Sequence, residues 1–248
     1  MVLLEGRKIT KWFGGLAALS GVDFSLAKGE IFGLIGPNGA GKTTLFNLIT
    51  GAYRPSSGHI YFMGKDISRS RPHVICRHGI SRTYQLVRPF ANLTVLENVL
   101  VGIYFGRADG SDRRAAYREA EALLALVGLT GKIKERAEHL TLVERRRLEI
   151  ARALATQPSV LLLDEVMSGL NPTETTQTMD LVRGVRDRGV TIFMIEHVMK
   201  AIMGLSDRIM VLHHGELIAQ GTPEEVASDQ RVITAYLGER AEPGGRRA

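Results

Sequence analysis

The stretch IFGLIGPNGAGKTT, residues 31–44, contains the strongest structural signal in the chain. Its first five residues form an almost wholly apolar run, which is typical of a strand buried on both faces of a parallel sheet. The pattern G-x-x-x-x-G-K-[ST] follows at residues 36–43, and apolar periodicity at residues 45–49 predicts a helix directly after it. A strand, a glycine-rich loop and a helix in this order predict an α/β fold whose loop binds phosphate groups.

The loop itself has the residue types that a polyphosphate requires. Backbone N–H groups at a helix N-terminus can point at the phosphates, and glycines allow that backbone to come close. Lys42 would reach the β- and γ-phosphates, and the Thr43 hydroxyl would ligate Mg²⁺. A glycine-rich turn without a ligand is the alternative. The predicted nucleotide-binding residues are Gly36, Pro37, Asn38, Gly39, Ala40, Gly41, Lys42, Thr43 and Thr44.

Other segments extend the α/β prediction. Residues 160–163 and 190–195 are further apolar runs typical of buried parallel strands, each followed by a helical pattern. Residues 2–26 alternate instead and are interrupted by Gly14-Gly15 and Gly21, which predicts antiparallel strands and turns. A later hairpin is predicted around His213-His214, with the two histidines on opposite faces. The predicted class is a P-loop NTPase fold with a central, mostly parallel sheet, an N-terminal antiparallel β part and an inserted helical subdomain.

The domain organisation follows from where the pattern changes. Residues 68–140 are more helical and more charged than their surroundings, and an amphipathic stretch at residues 112–127 ends at Gly128. The last residues, AEPGGRRA, have no apolar pattern. We predict one domain over residues 1–240, with a helical insert at about residues 86–155, and a disordered tail over residues 241–248.

The composition is that of an ordinary globular protein, with 44% of the 248 residues hydrophobic and 23% charged. These values exclude a disordered chain and a membrane-embedded one. No apolar run approaches the roughly 18 residues of a bilayer span, and the N-terminus lacks the pattern of a secretory signal. The single cysteine, Cys76, excludes an internal disulfide. A formal net charge of +6 suits nucleic acid, anionic lipid or nucleotide phosphates and does not choose among them.

Two adjacent carboxylates, Asp164 and Glu165, follow the apolar run at residues 160–163. Ligands of open α/β sheets bind at the carboxyl ends of the strands. We predict that Asp164 holds Mg²⁺, usually through water, and that Glu165 polarises the attacking water as a general base. A solvated strand end or a helix cap is the alternative.

Beyond these motifs, the chain resembles the ATP-binding cassette (ABC) family over nearly its whole length. Phe13 is placed like the aromatic that stacks on adenine, although the neighbouring Trp12 is a rival for that role. Gln85 matches the glutamine that contacts Mg²⁺ and water and faces the membrane subunit, and His197 matches the histidine that contacts the γ-phosphate. Residues 140–154, LTLVERRRLEIARAL, occupy the position of the family signature, which usually reads LSGGQ.

The resemblance implies an ATPase coupled to transport across a membrane, with ATP and Mg²⁺ as its cofactors. The implied catalytic residues are Glu165, His197 and Gln85. The implied metal ligands are Thr43, Gln85 and, through water, Asp164. Such a subunit would be peripheral and would lie at the cytoplasmic face of the cell membrane.

The signature departs from the family pattern. In ABC proteins the signature serine and glycines of one ATPase subunit contact the γ-phosphate held by a second subunit. Thr141 keeps the hydroxyl, but Leu142, Val143 and Glu144 replace the two glycines and the glutamine, and a β-branched residue loses the close approach of glycine. The same residues fit a capping box, in which Glu144 folds onto its own helix. Asn171, where the family usually has Asp, is likewise explained as a helix N-cap.

This departure predicts how the subunit assembles. The residues that the chain offers to its own ATP match the family, whereas the signature that it offers to a second subunit is altered. A homodimer would contain two weakened sites, and a pair with a standard signature in the other subunit would contain one. We therefore predict a heterodimer with a second, different ABC ATPase. The resemblance also implies two transmembrane permease subunits and, indirectly, an external solute-binding protein.

Six short stretches are similar to the ATPases of branched-chain amino-acid uptake systems: residues 13–17, 45–51, 79–85, 93–102, 170–174 and 232–238. They imply an importer subunit that drives permease conformational change. ATPases of amide or urea importers and of lipopolysaccharide exporters are alternatives within the family. A regulatory subunit that binds ATP without turnover is an alternative that Glu165 and His197 argue against. A soluble nucleic-acid ATPase usually has a coiled coil or a second cassette, so nucleic acid is not a predicted partner.

Overall fold

The computed structural model describes residues 1–85, 88–106 and 112–241 and divides them into two compact units. The first unit contains residues 1–69 and the residues from Phe193 onward, and the second contains residues 70–192. The strands are β1 (Val2–Phe13), β2 (Leu16–Ala27), β3 (Ile31–Ile35), β4 (Ser57–Phe62), β5 (Lys65–Asp66), β6 (Ile80–Arg82), β7 (Val160–Asp164), β8 (Thr191–Ile195), β9 (Arg208–His213) and β10 (Glu216–Gly221). The helices are α1 (Lys42–Ile49), α2 (Pro72–His78), α3 (Val95–Gly106), α4 (Arg113–Leu126), α5 (Leu142–Leu154), α6 (Pro172–Asp187), α7 (Met199–Leu205), α8 (Pro223–Ser228) and α9 (Gln230–Ala241).

The first unit contains a four-stranded antiparallel sheet in the order β2-β1-β4-β5. β1 and β2 form a long hairpin that turns at Gly14-Gly15, as predicted. The predicted interruption at Gly21 is wrong, because β2 continues through this residue. Gly21 has a φ of 61°, and its N–H donates to the Thr10 hydroxyl at 3.0 Å. The glycine therefore forms an irregularity inside the strand and not a turn.

The parallel part of the first unit supports the loop after β3. β3 is buried along its whole length and pairs in parallel with β9, and β9 pairs with β10 in the predicted antiparallel hairpin. Phe193 of β8 packs against Phe24, Phe32 and Phe46, with ring centroids 5.7, 5.1 and 5.1 Å away. Since Phe32 lies on β3 and Phe46 on α1, this aromatic cluster fixes the strand and the helix on either side of the glycine-rich loop.

The turn of the β9–β10 hairpin corrects one prediction. The rings of His213 and His214 do not point to opposite faces, because their centroids lie only 4.0 Å apart. His214 has a φ of 47°, which ends the alternation of the strand at His213. The two rings therefore lie side by side at the turn.

The second unit combines parallel strands with packed helices. β6 pairs in parallel with β7, and β7 is buried throughout. α4 is the predicted amphipathic helix, and it begins at the N-cap Asp112, whose carboxylate accepts the N–H of Ala115 at 3.2 Å. α3 packs closely on α5, since a Cβ at Gly102 would lie 2.7 Å from the carbonyl oxygen of Arg152. Glycine at this position therefore permits the close contact between the two helices.

The predicted fold class is confirmed, with parallel strand pairs, an N-terminal antiparallel sheet and a separate group of helices. α3, α4 and α5 lie within the predicted helical insert at residues 86–155. Residues 86–87 and 107–111 of that insert, and residues 242–248 of the predicted disordered tail, lie outside the described residues. The single domain over residues 1–240 stays a prediction. No helix in the described part of the chain has the length and apolar character needed to cross a bilayer.

Candidate functional site

The loop between β3 and α1 has glycine where its backbone meets neighbouring carbonyl groups. A Cβ at Gly36 would collide with the Leu212 carbonyl oxygen, and one at Gly41 would lie 2.6 Å from the Ala18 carbonyl oxygen. The φ angles of Gly36 and Gly41 are 151° and 101°, which side chains also disfavour. The fold of the loop therefore requires glycine at two positions of the sequence motif.

The start of helix α1 is suited to an anion. No described side chain caps the helix at Gly41, and the first turn contains no acidic residue. Lys42 is buried, and its Nζ donates to the carbonyl oxygens of Gly36 at 2.6 Å and Pro37 at 2.7 Å. The ammonium charge thus lies beside the positive end of the helix dipole. Backbone N–H groups, dipole and ammonium together fit a polyphosphate.

The two aromatic residues proposed for the adenine are both exposed at the end of β1. Phe13 is 42% exposed and Trp12 is 51% exposed. The Phe13 ring packs edge-on against Tyr53, with centroids 5.3 Å apart, and the Lys11 ammonium lies 4.9 Å from the Phe13 centroid. These contacts order Phe13 without burying it, and its stacking role stays a prediction.

Asp164 forms a buried ion pair that the sequence motifs did not predict. Arg82, the last residue of β6, donates from Nη2 to Asp164 Oδ2 at 2.6 Å, and the two side chains are 4% and 3% exposed. Because β6 and β7 are parallel neighbours, their carboxyl ends lie at the same edge. A basic residue at one strand end and an acidic residue at the next were the available signal.

The structure brings Gln85 and Glu165 together. Gln85 Nε2 donates to Glu165 Oε2 at 2.8 Å. Glu165 follows β7 directly and has a φ of 53°, so the chain turns sharply out of the strand at this carboxylate. Arg146 of α5 donates to the main-chain carbonyl oxygens of Glu165 at 3.2 Å and Val166 at 2.7 Å. Two residues predicted to be catalytic are therefore in direct contact.

The predicted site residues are divided between the units. The first unit contains the loop after β3, Phe13 and the exposed His197, which lies two residues beyond β8. The second unit contains Gln85, Asp164, Glu165 and the signature residues.

A comparison with protein families identifies the chain. Residues 19–168, well over half of its length, match the family model described as ABC transporter. The chain belongs to the ABC transporter family. A second family model, described as branched-chain amino acid ATP-binding cassette transporter, matches residues 216–242 of this ABC protein.

Curated relatives match the ABC protein over almost its full length. The high-affinity branched-chain amino acid transport ATP-binding protein LivG of Salmonella typhimurium is 44% identical over 250 residues, covering 96% of this chain and 98% of the relative. The corresponding protein BraF of Pseudomonas aeruginosa is 41% identical with the same coverage. A probable LivG of Methanocaldococcus jannaschii is 33% identical, again covering 96% of this chain and 98% of the relative.

Solved structures of ATP-binding cassettes are similar to the ABC protein. A nucleotide-free cassette from an ABC transporter has a TM-score of 0.86 and 31% identity, covering 95% of this chain and 99% of that chain. The ADP conformation of a cassette has a TM-score of 0.86 and 32% identity, covering 96% and 99%. Both likenesses support the α/β fold class.

The altered signature of this ABC protein begins α5 with the predicted capping box. Thr141 Oγ1 accepts the N–H of Glu144 at 3.4 Å, and the Thr141 N–H donates to Glu144 Oε2 at 2.9 Å. This Thr141 N–H lowers the pKa of Glu144, so the carboxylate is held on its own helix. Leu142 is 52% exposed beside it. Asn171 likewise caps α6 as predicted, by accepting the N–H of Glu174 at 2.9 Å.

Sequence reasoning missed Glu149 as well as Arg82. It lies on the buried face of α5 with only 8% of its surface exposed. Its Oε1 accepts the backbone N–H of Tyr84 at 2.8 Å. Burial raises the pKa of Glu149 to about 7, although the Tyr84 N–H and the charges of Arg152 and Arg146 act in the opposite direction. A glutamate in an amphipathic helix gives no sequence signal that distinguishes it from a solvated residue.

The raised pKa of Glu149 predicts a pH-dependent difference in stability. Between its ordinary pKa of 4.5 and about 7, the folded state retains a proton that the unfolded state has lost. The contribution of Glu149 to the free energy of unfolding therefore decreases as the pH rises through this range. Relative to wild type, Glu149→Gln should gain on the order of 3 kcal/mol between pH 4.5 and pH 8. Urea denaturation of both proteins across this range measures the difference, and parallel stability curves would contradict the prediction.

Proposed function

We propose that this chain is the ATP-hydrolysing subunit of an importer for branched-chain amino acids. The observation that carries the proposal is its 41% to 44% identity, over 96% of the chain, to proteins named as high-affinity branched-chain amino acid transport ATP-binding proteins. The match of residues 216–242 to a branched-chain amino acid cassette model supports the same cargo independently of the loop motif.

ATP is the substrate that the loop of the first unit fits. Lys42 and the backbone N–H groups at the start of α1 bind its phosphates, because both present positive charge to an anion. Phe13 stacks on the adenine through the exposed face of its ring. His197 contacts the γ-phosphate. These roles are those that the resemblance to the family implies, and the burial and hydrogen bonds of Lys42 support the first of them.

In the second unit, Glu165 accepts a proton from the attacking water. The amide of Gln85 holds this carboxylate at 2.8 Å, which orients it for that role. A contact between the proposed base and an orienting amide favours a hydrolysing subunit over a regulatory one that binds ATP without turnover.

Mg²⁺ is the metal that the proposed ligands fit. Thr43, Gln85 and Asp164 all supply oxygen donors, which this ion prefers. Arg82 holds the buried Asp164 carboxylate in one orientation. When bound, Mg²⁺ neutralises negative charge on the β- and γ-phosphates.

The proposed assembly is a heterodimer with a second ABC ATPase on two permeases. We place the subunit at the cytoplasmic face of the membrane, with an external solute-binding protein delivering the cargo. Gln85 and the described part of the helical insert after it, residues 88–104, form the proposed surface for a permease. Exposed aromatic residues such as Phe90 (45%) and Tyr104 (41%) support a surface that binds another protein.

Uptake by cells with and without this chain tests the function. Deletion of its gene should abolish high-affinity uptake of radiolabelled leucine, and a plasmid copy should restore it. Unlabelled isoleucine and valine should compete, whereas urea and amides should not. Restored uptake of urea or an amide, with leucine uptake unchanged throughout, would contradict the proposed cargo and favour a related importer.

A further inference from the structure

Four consecutive residues, Arg82 to Gln85, each form a contact with β7, with Glu165 directly after it or with α5. Arg82 bonds the Asp164 carboxylate, and the Thr83 N–H donates to the Leu162 carbonyl oxygen at 2.9 Å. The Thr83 hydroxyl accepts the Asp164 N–H at 3.1 Å. The Tyr84 N–H donates to Glu149, and the Gln85 amide donates to Glu165. Residues 82–85 form what we call the Gln85 segment.

Within this segment, the Tyr84 contact involves an unusual partner. The Tyr84 N–H donates to a carboxylate of α5 that is buried, as are the neighbouring residues Leu148 and Ile150 of this helix. Burying a carboxylate costs free energy, and an apolar residue would pack at this position without that cost. An apolar residue here would lose the hydrogen bond from Tyr84 and the attraction of Arg152 and Arg146, and of these only the hydrogen bond acts on the Gln85 segment.

Helix α5 also contacts the backbone at Glu165, directly after β7. Arg146, three residues before Glu149, donates to the carbonyl oxygens of Glu165 and Val166. Residues three apart lie on one face of a helix. One face of α5 therefore contacts the backbone next to Gln85 and the backbone of Glu165, the two residues whose side chains meet.

We propose that Glu149 is a positioning residue that holds the backbone of the Gln85 segment so that the Gln85 amide meets Glu165. Arg146 fixes the other member of the pair from the same helix. Because the capping box of Thr141 begins this helix, α5 connects the signature end to the orientation of the proposed base. The proposal rests on the proposed function of Glu165 in ATP hydrolysis.

Two substitutions of similar volume separate the hydrogen bond from the packing. Glu149→Gln keeps an acceptor oxygen for the Tyr84 N–H, whereas Glu149→Met fills the space without one. Hydrogen exchange of the full chain without nucleotide should show Tyr84 exchanging about tenfold faster in the Met variant and near the wild-type rate in the Gln variant. Arg147→Met, which removes a bond from α5 to Gln177, should leave Tyr84 exchange unchanged.

Kinetics of the assembled transporter give the second measurement. Glu149→Met should lower kcat about tenfold with KM for ATP within about twofold, and Glu149→Gln should restore most of kcat. Wild-type exchange at Tyr84 in the Met variant, or equal loss of kcat in both variants, would overturn the proposal. A wild-type assembly that hydrolyses no ATP would instead contradict the proposed function, while the exchange result would still decide whether Glu149 orders the segment.

Discussion

Replacement of Lys42 by alanine is expected to abolish ATP hydrolysis and leucine uptake, with kcat falling at least about a hundredfold. Lys42 donates to two carbonyl oxygens of the loop at 2.6 and 2.7 Å and brings a buried positive charge to the start of α1. Charge-assisted hydrogen bonds contribute about 1.5–3 kcal/mol each, so losing two of them to phosphate oxygens in the transition state lowers the rate at least about a hundredfold, at 1.36 kcal/mol for each factor of ten. The substitution removes both the loop bonds and the charge offered to the phosphates.

Two matched variants distinguish a loss of catalysis from a loss of folding. Lys42→Met keeps the buried methylenes and should lose as much activity as the alanine variant while unfolding closer to the wild-type temperature. Lys28→Ala removes a lysine at an exposed position and should leave hydrolysis unchanged. ATPase assays on the assembled transporter and uptake assays in cells give the measurement. Normal uptake in the Lys42→Ala strain would refute the nucleotide-site assignment.

Glu165→Gln is expected to remove nearly all ATP hydrolysis from the heterodimer, by about 10²- to 10⁴-fold. The nucleotide site on this chain would be completed by the standard signature of the partner. This site is therefore the more efficient of the two. Glutamine can still accept the hydrogen bond from Gln85 through its amide oxygen, but it cannot accept the proton of the attacking water. ATP binding, measured with a fluorescent nucleotide, should remain near the wild-type level.

The corresponding substitution in the second ATPase is the control for unequal sites. That site would be closed by Thr141, Leu142, Val143 and Glu144, so its base contributes little and its loss should cost little. The purified chain alone should also hydrolyse ATP more slowly than the reconstituted pair. Equal losses from the two substitutions, or equal rates for the chain alone and the pair, would contradict the heterodimer with unequal sites.

Local sequence patterns predicted the elements that depend on nearby residues. The strand, glycine-rich loop and helix of residues 31–49 were predicted, because an apolar run and the glycine spacing are determined within one short segment. The capping box at Thr141 and the N-cap at Asn171 were predicted for the same reason, since each cap involves residues three apart. Gly21 was misassigned because a glycine with positive φ fits both a turn and an irregular strand, and only pairing with β1 decides between them.

The contacts around the acidic pair could not be predicted in this way. Arg82 and Asp164 are 82 residues apart in the chain, and Tyr84 and Glu149 are 65 apart. Sequence periodicity contains no information on which strand ends become neighbours, so neither partner could be assigned. The family resemblance placed Gln85 and Glu165 in one mechanism, and the structure added the 2.8 Å contact between them.

The sequence by itself determined the α/β class, the strand, glycine-rich loop and helix of residues 31–49, the helix caps and the membership of a family of transport ATPases. Only the tertiary structure decided that Arg82 pairs with Asp164, that Gln85 meets Glu165 and that the Tyr84 N–H donates to Glu149 of α5. The physical reason is that a local sequence pattern reflects only the free energy of placing each residue in a strand, loop or helix. A buried charge needs a partner, and the partners of Asp164 and Glu149 come from segments distant in the chain.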